Sequence, residues 1–171
     1  MDGKIGFGWQ NRVLSSALLA SSQQQAWPAA RLREPVGTAA WRTTGVSAEW
    51  LRLDAGAGGD GVPAGAREGL AVCRSNLTPA AQIRWRKAAD GDAAFASPLL
   101  DTGWQPINGA PGRQQDVRAP ASLPARYTRV DLADPTNPDG FLEVGFVVAS
   151  RLAQPARNHA HGRQAARAGE R

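Results

Sequence analysis

The sequence predicts an all-β domain, built as an antiparallel β-sandwich of the jelly-roll kind. Several short runs alternate apolar with polar residues, which is typical of strands that bury one face. Turn residues separate these runs, since the 171-residue chain contains 19 Gly and 12 Pro. No run has the apolar period of a helix longer than a turn or two. The length is ample for one packed domain with extensions at its ends.

The first ten residues, MDGKIGFGWQ, predict a short apolar arm. Ile5, Phe7 and Trp9 are two residues apart, so they would face one way in an extended segment. A segment this short cannot form a core of its own. We therefore expect the arm, residues 1–10, to dock either on its own domain or on a neighbouring subunit, and these three residues are candidate partner-binding residues.

The next segment predicts a first strand over residues 11–22. Its apolar stretch, VLSSALLASS, is short and interrupted by Ser, which favours a strand over an export signal. A crossover loop follows at residues 27–35, because proline near both of its ends limits regular structure. A further short strand is expected around Trp41.

The clearest strands lie further along the chain. They cover residues 49–55, 69–74, 82–87, 126–132 and 141–149. Alternation predicts that the following residues face the core: Leu51, Leu53, Ile83, Trp85, Val130, Leu132, Leu142, Val144, Phe146 and Val148. It predicts that the following face outward: Arg52, Asp54, Arg84, Arg86, Arg129 and Asp131. We interpret Trp41, Trp50 and Trp85 as core residues and not as stacking platforms for sugars or bases.

Five segments, taken in order, resemble a known fold. They are LREP…WRTTG at residues 32–45, WLRLDAG at 50–56, SNLTPAAQIRWR at 75–86, LLDTGW at 99–104 and ARYTRVDLADPTNPDGFLEVG at 125–145. Together they resemble the galactose-binding-like, or discoidin-like, β-sandwich, and more narrowly the version found in structural proteins of tailed-phage tails. The resemblance implies that the first and last strands are neighbours in one sheet.

The resemblance also implies a function. The chain would be a structural subunit near the tail tip or baseplate, folded in the host cytoplasm and assembled with other tail proteins into the virion. Sugar-binding relatives display aromatic, Arg or Asp groups on loops at one end of the sandwich. Here the loops are mostly Gly, Ala and Pro, and Trp27 and Trp104 are the only loop-side Trp candidates. A carbohydrate-binding module that adheres to a host glycan is therefore the alternative.

The charge distribution predicts a basic tail on a nearly neutral body. The whole chain carries +5, and residues 151–171 hold five Arg and one Glu, which leaves about +1 for the rest. The tail could bind phosphates or acidic protein, or it could stay solvated, and a nucleic-acid-binding domain or membrane insertion is not expected. Its candidate partner-binding residues are Arg151, Arg157, Arg163 and Arg167. The expected domain organisation is thus arm 1–10, sandwich 11–150 and tail 151–171.

Few residues offer catalytic or metal chemistry. His159 and His161 both lie in the tail, and Cys73 is the single cysteine, which we expect to be a buried thiol. These residues are too few for a catalytic His pair, a zinc site or a disulfide, so the sequence predicts neither an enzyme nor a cofactor. One loop offers oxygen ligands for calcium, but turn chemistry explains it equally well and is the favoured interpretation. Its residues are Asp131, Asp134, Asn137, Asp139 and Glu143.

Overall fold

The computed structural model describes residues 7–8, 10–34, 37–64, 66–108, 114–118 and 123–153. Within these residues lie eleven strands and two 3-10 helices. The strands are β1 (Phe7–Gly8), β2 (Ala17–Ala20), β3 (Trp41–Arg42), β4 (Glu49–Asp54), β5 (Arg67–Ser75), β6 (Gln82–Ala88), β7 (Leu100–Asp101), β8 (Gln105–Pro106), β9 (Gln114–Arg118), β10 (Tyr127–Ala133) and β11 (Glu143–Ala153). The 3-10 helices are Arg12–Leu14 and Ala29–Arg33.

The strands form two antiparallel sheets that face each other. Sheet I has the order β1-β11-β5-β9, and β3 also pairs with β11. Sheet II has the order β2-β4-β10-β6-β7, and β8 also pairs with β6. The predicted all-β antiparallel sandwich is therefore confirmed. Among the residues that the structure describes, no helix has the length and apolar character that crossing a membrane would need.

Alternation along the strands explains the core. Leu51 and Leu53 on β4, Ile83 and Trp85 on β6, and Val130 and Leu132 on β10 are all buried and form one cluster. Because β10 pairs with both β4 and β6, these six side chains lie in three adjacent rows on the inner face of sheet II. Trp41 is fully buried in the same cluster. The predicted inward facing of these residues is confirmed.

The facing predicted for the last strand is only partly right. Val144 is buried as predicted, but Phe146 and Val148 are only half-buried, whereas Val147 and Ala149 lie in the core. The inward phase therefore shifts between Val144 and Val147. At the same level of the neighbouring strand β5, Arg74 has a φ of 51°, in the left-handed region.

Three further expectations need correction. The predicted first strand, residues 11–22, begins with a 3-10 helix and contributes β2 to sheet II. It is therefore not paired with the last strand, β11. Strand β1, within the arm, pairs with β11 instead. Trp50, expected in the core, is half-buried on the outer face of sheet II, because it precedes the inward-facing Leu51 by one residue. The Arg129 guanidinium carbon lies 4.4 Å from its ring centre. Cys73 is half-buried, and burial raises the pKa of its thiol.

A cluster of charged side chains lies buried between the sheets, and we call it the buried charge cluster. It consists of Arg12, Asp60, Glu68 and Lys87. The Lys87 ammonium lies 2.6 Å from Asp60 Oδ2 and 2.8 Å from Glu68 Oε2. The Arg12 guanidinium lies 3.2 Å from Asp60 Oδ2 and also pairs with Glu68. Among the described residues, two cations thus meet two anions, and burial lowers the pKa of both Arg12 and Lys87.

Candidate functional site

The two ends of the sandwich differ in what they carry. Phe7 and Gly8 pair with Ala153 and Leu152 at the end of β11, so the first and last described residues lie at one end. The start of β11 lies about 30 Å away, given the usual rise per residue of an eleven-residue strand. Near that start, the segment between β2 and β3 and the end of β5 enclose a cleft of about 270 Å³. We call it the loop-end cleft; its lining is Trp27, residues 37–40, Arg42, Arg74, Glu143 and Gly145.

Strand pairing places two of the lining side chains together. β3 pairs with β11 so that Arg42 lies directly opposite Glu143, although 101 residues separate them in sequence. The Arg42 Nε donates a hydrogen bond of 2.5 Å to Glu143 Oε2. Its guanidinium carbon lies 4.0 Å from the Trp27 ring centre and 5.0 Å from that of Phe141. Arg42 is therefore held between two aromatic rings and a carboxylate.

The main chain around Trp27 is also fixed. The Arg42 backbone N–H donates to the Trp27 carbonyl (3.0 Å), and the Gln24 backbone N–H donates to the Arg42 carbonyl (2.8 Å). The indole of Trp27 is half-buried, so it gives the cleft an apolar wall that solvent still reaches. Below it, Ala39 and Ala40 are buried. This part of the cleft is preformed and not dependent on loose loop ends.

Arg74 also lines the cleft and adopts an unusual backbone conformation, with a φ of 51°. Its guanidinium donates to three main-chain carbonyls, those of Gly37, Ala39 (3.2 Å) and Gly145 (2.8 Å). Gly145 makes this possible, since a Cβ there would lie 2.7 Å from Arg74 Nη2. A left-handed non-glycine residue costs on the order of 1–3 kcal/mol, and such strain is concentrated at functional sites. Arg74 is thus tied to the segment that precedes β3.

The acidic loop considered for calcium is a hydrogen-bonded turn. Asp134 accepts from the backbone N–H and the hydroxyl of Thr78, both at 2.8 Å, and from the Asn137 amide at 3.0 Å. Asp131 pairs instead with Arg86 and Arg129 on the outer face of sheet II. No group of three or more Asp, Glu, His or Cys residues that could hold a metal ion occurs in the described part of the chain.

The outer face of sheet II also gathers Arg and aromatic residues, but they satisfy one another. Arg84 pairs with Asp101, Arg86 with Asp131, and Arg126 with both Asp54 and Asp90. Phe95 and Tyr127 meet edge to face with ring centres 6.5 Å apart. A further hollow of about 200 Å³ beside Arg126 is lined mostly by small residues, with no aromatic side chain. The loop-end cleft is the better candidate site.

None of the predicted partner-binding residues that the structure describes lines this cleft. Ile5, Trp9, Arg157, Arg163 and Arg167 lie outside the described residues, as do His159 and His161. Phe7 lies on β1, and Arg151 is exposed on β11 at the end where the first and last described residues meet. Of the two loop-side Trp candidates, Trp27 lines the cleft, whereas Trp104 is exposed between β7 and β8.

The sequence analysis did not identify Arg42 or Arg74 as site residues, and it considered Glu143 only as a possible calcium ligand. One signal was available: Gly145 interrupts an otherwise apolar strand, and an interior strand glycine often marks a close approach of another group. The residue that approaches it, Arg74, is 71 positions earlier in the chain. No local pattern connects the two.

Solved structures of other proteins share this architecture. The lectin domain of lectinolysin in complex with Lewis b antigen is 13% identical, with a TM-score of 0.59 over 86% of this chain and 100% of that one. Chitosan-binding module 1 of a chitosanase/glucanase from Paenibacillus sp. IK-5 is 16% identical, with a TM-score of 0.55 over 82% and 98%. The family 32 carbohydrate-binding module of C. perfringens NanJ in complex with galactose is 12% identical, with a TM-score of 0.54 over 87% and 100%.

These likenesses show the fold. The chain is a galactose-binding-like β-sandwich, as the sequence resemblance implied. No protein-family model matches the sequence, and no curated protein matches it. The three structures give no support to the narrower resemblance to phage-tail proteins.

Proposed function

We propose that the chain is a carbohydrate-binding module and that the loop-end cleft holds the sugar. The observation that carries the proposal is the cleft itself: one preformed hollow combines an indole wall, two guanidinium groups and a carboxylate. A sugar ring presents an apolar face of C–H groups and a rim of hydroxyls. The indole suits the first, and fixed donors and an acceptor suit the second.

The comparisons support this proposal over the tail-subunit interpretation. The structures named above are those of a chitosan-binding module, of a lectin domain in complex with Lewis b and of a carbohydrate-binding module in complex with galactose. This chain spans nearly the full length of each, so it corresponds to a whole module of that kind. The likeness is one of fold, and the site assignment rests on the cleft.

The chemistry of the cleft fits binding without catalysis. Glu143 is the only carboxylate among the described residues that line it, and its Oε2 already accepts from Arg42. Glycoside hydrolysis by the usual route needs a pair of carboxylic groups across the bond that is cleaved. We therefore propose a non-catalytic module.

The test is glycan binding by the isolated protein, first on an array and then by calorimetry. Trp27→Ala should weaken binding by roughly tenfold or more, which corresponds to about 1.4 kcal/mol. Trp104→Ala is the matched control, because it removes an exposed indole away from the cleft. Failure to bind any glycan would overturn the proposal, and so would an equal loss in the two variants.

The phage-tail role stays a prediction that rests on the sequence resemblance. One feature of the fold is compatible with it: the described ends meet at one end of the sandwich, and the cleft lies at the other. A module anchored to a larger assembly through its ends would leave the cleft facing outward. The two functions are therefore not exclusive.

A further inference from the structure

The loop-end cleft is rich in hydrogen-bond donors and in positive charge. Two guanidinium groups, those of Arg42 and Arg74, line it against one carboxylate, that of Glu143. Arg31 adds a third cation, since its guanidinium carbon lies 4.9 Å from the Trp27 ring centre. The adjacent exposed residues Arg33 and Glu34 contribute one formal charge of each sign, and Arg33 donates to the carbonyls of Val13 and Ser16. The surroundings of the cleft therefore carry a net positive charge.

No carboxylate of the described residues pairs with Arg74. Its three hydrogen bonds go to main-chain carbonyls, and it forms no salt bridge with any described residue. A guanidinium has five N–H donors, so two remain for a ligand. Because the carbonyls and the left-handed backbone fix the group, a ligand would meet it without a large cost in side-chain entropy.

Arg42 offers further donors in the same cleft. Its hydrogen bond to Glu143 uses Nε, and its terminal nitrogens form no hydrogen bond with any described residue. The rings of Trp27 and Phe141 cover its guanidinium, which leaves the edge of the group for polar contacts. The two arginines together thus present several N–H groups, whereas Glu143 is the one carboxylate among the described residues that line the cleft, and its Oε2 already accepts from Arg42.

We propose that the cleft selects sugars that carry an acidic group, a carboxylate or a sulfate, over their neutral counterparts. This inference rests on the proposed carbohydrate binding at the same site. A donor-rich, positively charged cleft matches a ligand whose oxygens only accept, because hydrogen bonds from a guanidinium to an ionised group are shorter and stronger than neutral ones.

The experiment compares three probes by calorimetry: neutral β-1,4-galactan oligomers, oligogalacturonate and a sulfated galactan. We expect at least one acidic probe to bind roughly tenfold or more tightly than the neutral one at low salt, and the advantage to shrink between about 50 and 500 mM NaCl as charges are screened. The uronate and sulfate arms separate the two acidic groups.

Arg74→Gly is the decisive variant. Glycine accepts the left-handed backbone at this position, so the variant should fold, and it removes the guanidinium. It should lose the preference for the acidic probe, so that the ratio of its affinities for the acidic and the neutral probe falls to about one. Arg84→Ala is the control, since it removes the same charge from the outer face of sheet II, where Arg84 pairs with Asp101.

The outcomes separate this inference from the proposal on which it rests. If no probe and no array glycan binds, the proposed function fails. If neutral and acidic probes bind equally well, the module function stands and the acidic preference is wrong. An equal loss of preference in Arg74→Gly and Arg84→Ala would also overturn the inference, because the net charge of the protein and not the cleft would then be responsible.

Discussion

Replacing Lys87 with Met tests whether the buried charge cluster is balanced as the structure indicates. Lys87 is fully buried, and its ammonium contacts carboxylate oxygens of both Asp60 and Glu68. Met keeps most of the side-chain volume but removes the charge. Among the described residues, the variant would leave the Arg12 guanidinium facing the two buried carboxylates.

The expected cost follows from that imbalance. Removing one partner of a buried ion pair typically costs about 3–5 kcal/mol, since it leaves a charge without compensation. Arg12 still contacts both Asp60 and Glu68, so we expect the lower part of this range, about 3–4 kcal/mol. For a domain of this size that corresponds to a fall in Tm of roughly 6–16 °C. It is also a large share of a typical stability of about 5–15 kcal/mol.

The assay is urea unfolding followed by tryptophan fluorescence, with two companion variants. Glu68→Met combined with Lys87→Met restores neutrality, so the double variant should be more stable than Lys87→Met alone. Arg84→Met, on the same strand but in an exposed pair with Asp101, should cost about 1 kcal/mol or less. If Lys87→Met changed the free energy of unfolding no more than Arg84→Met, or if the double variant were the least stable, the assigned charge balance would be wrong.

Two further predictions concern the core and the chain ends. Trp41 and Trp85 are both fully buried, but Trp41 Nε1 donates to the Ser22 carbonyl (3.0 Å), whereas Trp85 Nε1 has no hydrogen-bond partner among the described residues. Trp41→Phe should therefore lower the free energy of unfolding by about 1 kcal/mol more than Trp85→Phe, and the reverse order in urea unfolding would contradict this. Deleting residues 154–171 leaves β11 intact, so the domain should stay folded by circular dichroism. If the chain is a structural subunit of a phage tail, complementing a phage that lacks the protein with this truncation should yield fewer tailed, infectious particles. Normal yields would refute the predicted role of residues 154–171 in assembly.

Much of the fold could be predicted because alternation is a local property of a strand. Leu51 and Leu53 on β4, and Ile83 and Trp85 on β6, are apolar residues two positions apart, and this spacing predicts the buried face of each strand. The same rule places Lys87 inward, two residues after Trp85, and Glu68 inward, two residues before Leu70. A charged residue is not normally expected to face the core, so the sequence did not predict the burial of Lys87 and Glu68. Burial of each charge is tolerated because the other, of opposite sign, lies next to it.

The sequence by itself therefore determined the sandwich, the facing of most central strands and the scarcity of catalytic groups. Only the tertiary structure decided the site. The loop-end cleft needs Arg42 opposite Glu143, 101 residues away, and Arg74 against Gly145, 71 residues away. Both contacts depend on the register in which β11 pairs with β3 and β5. Register is set by the packing of the whole sandwich, so no local pattern could place these side chains around one cleft.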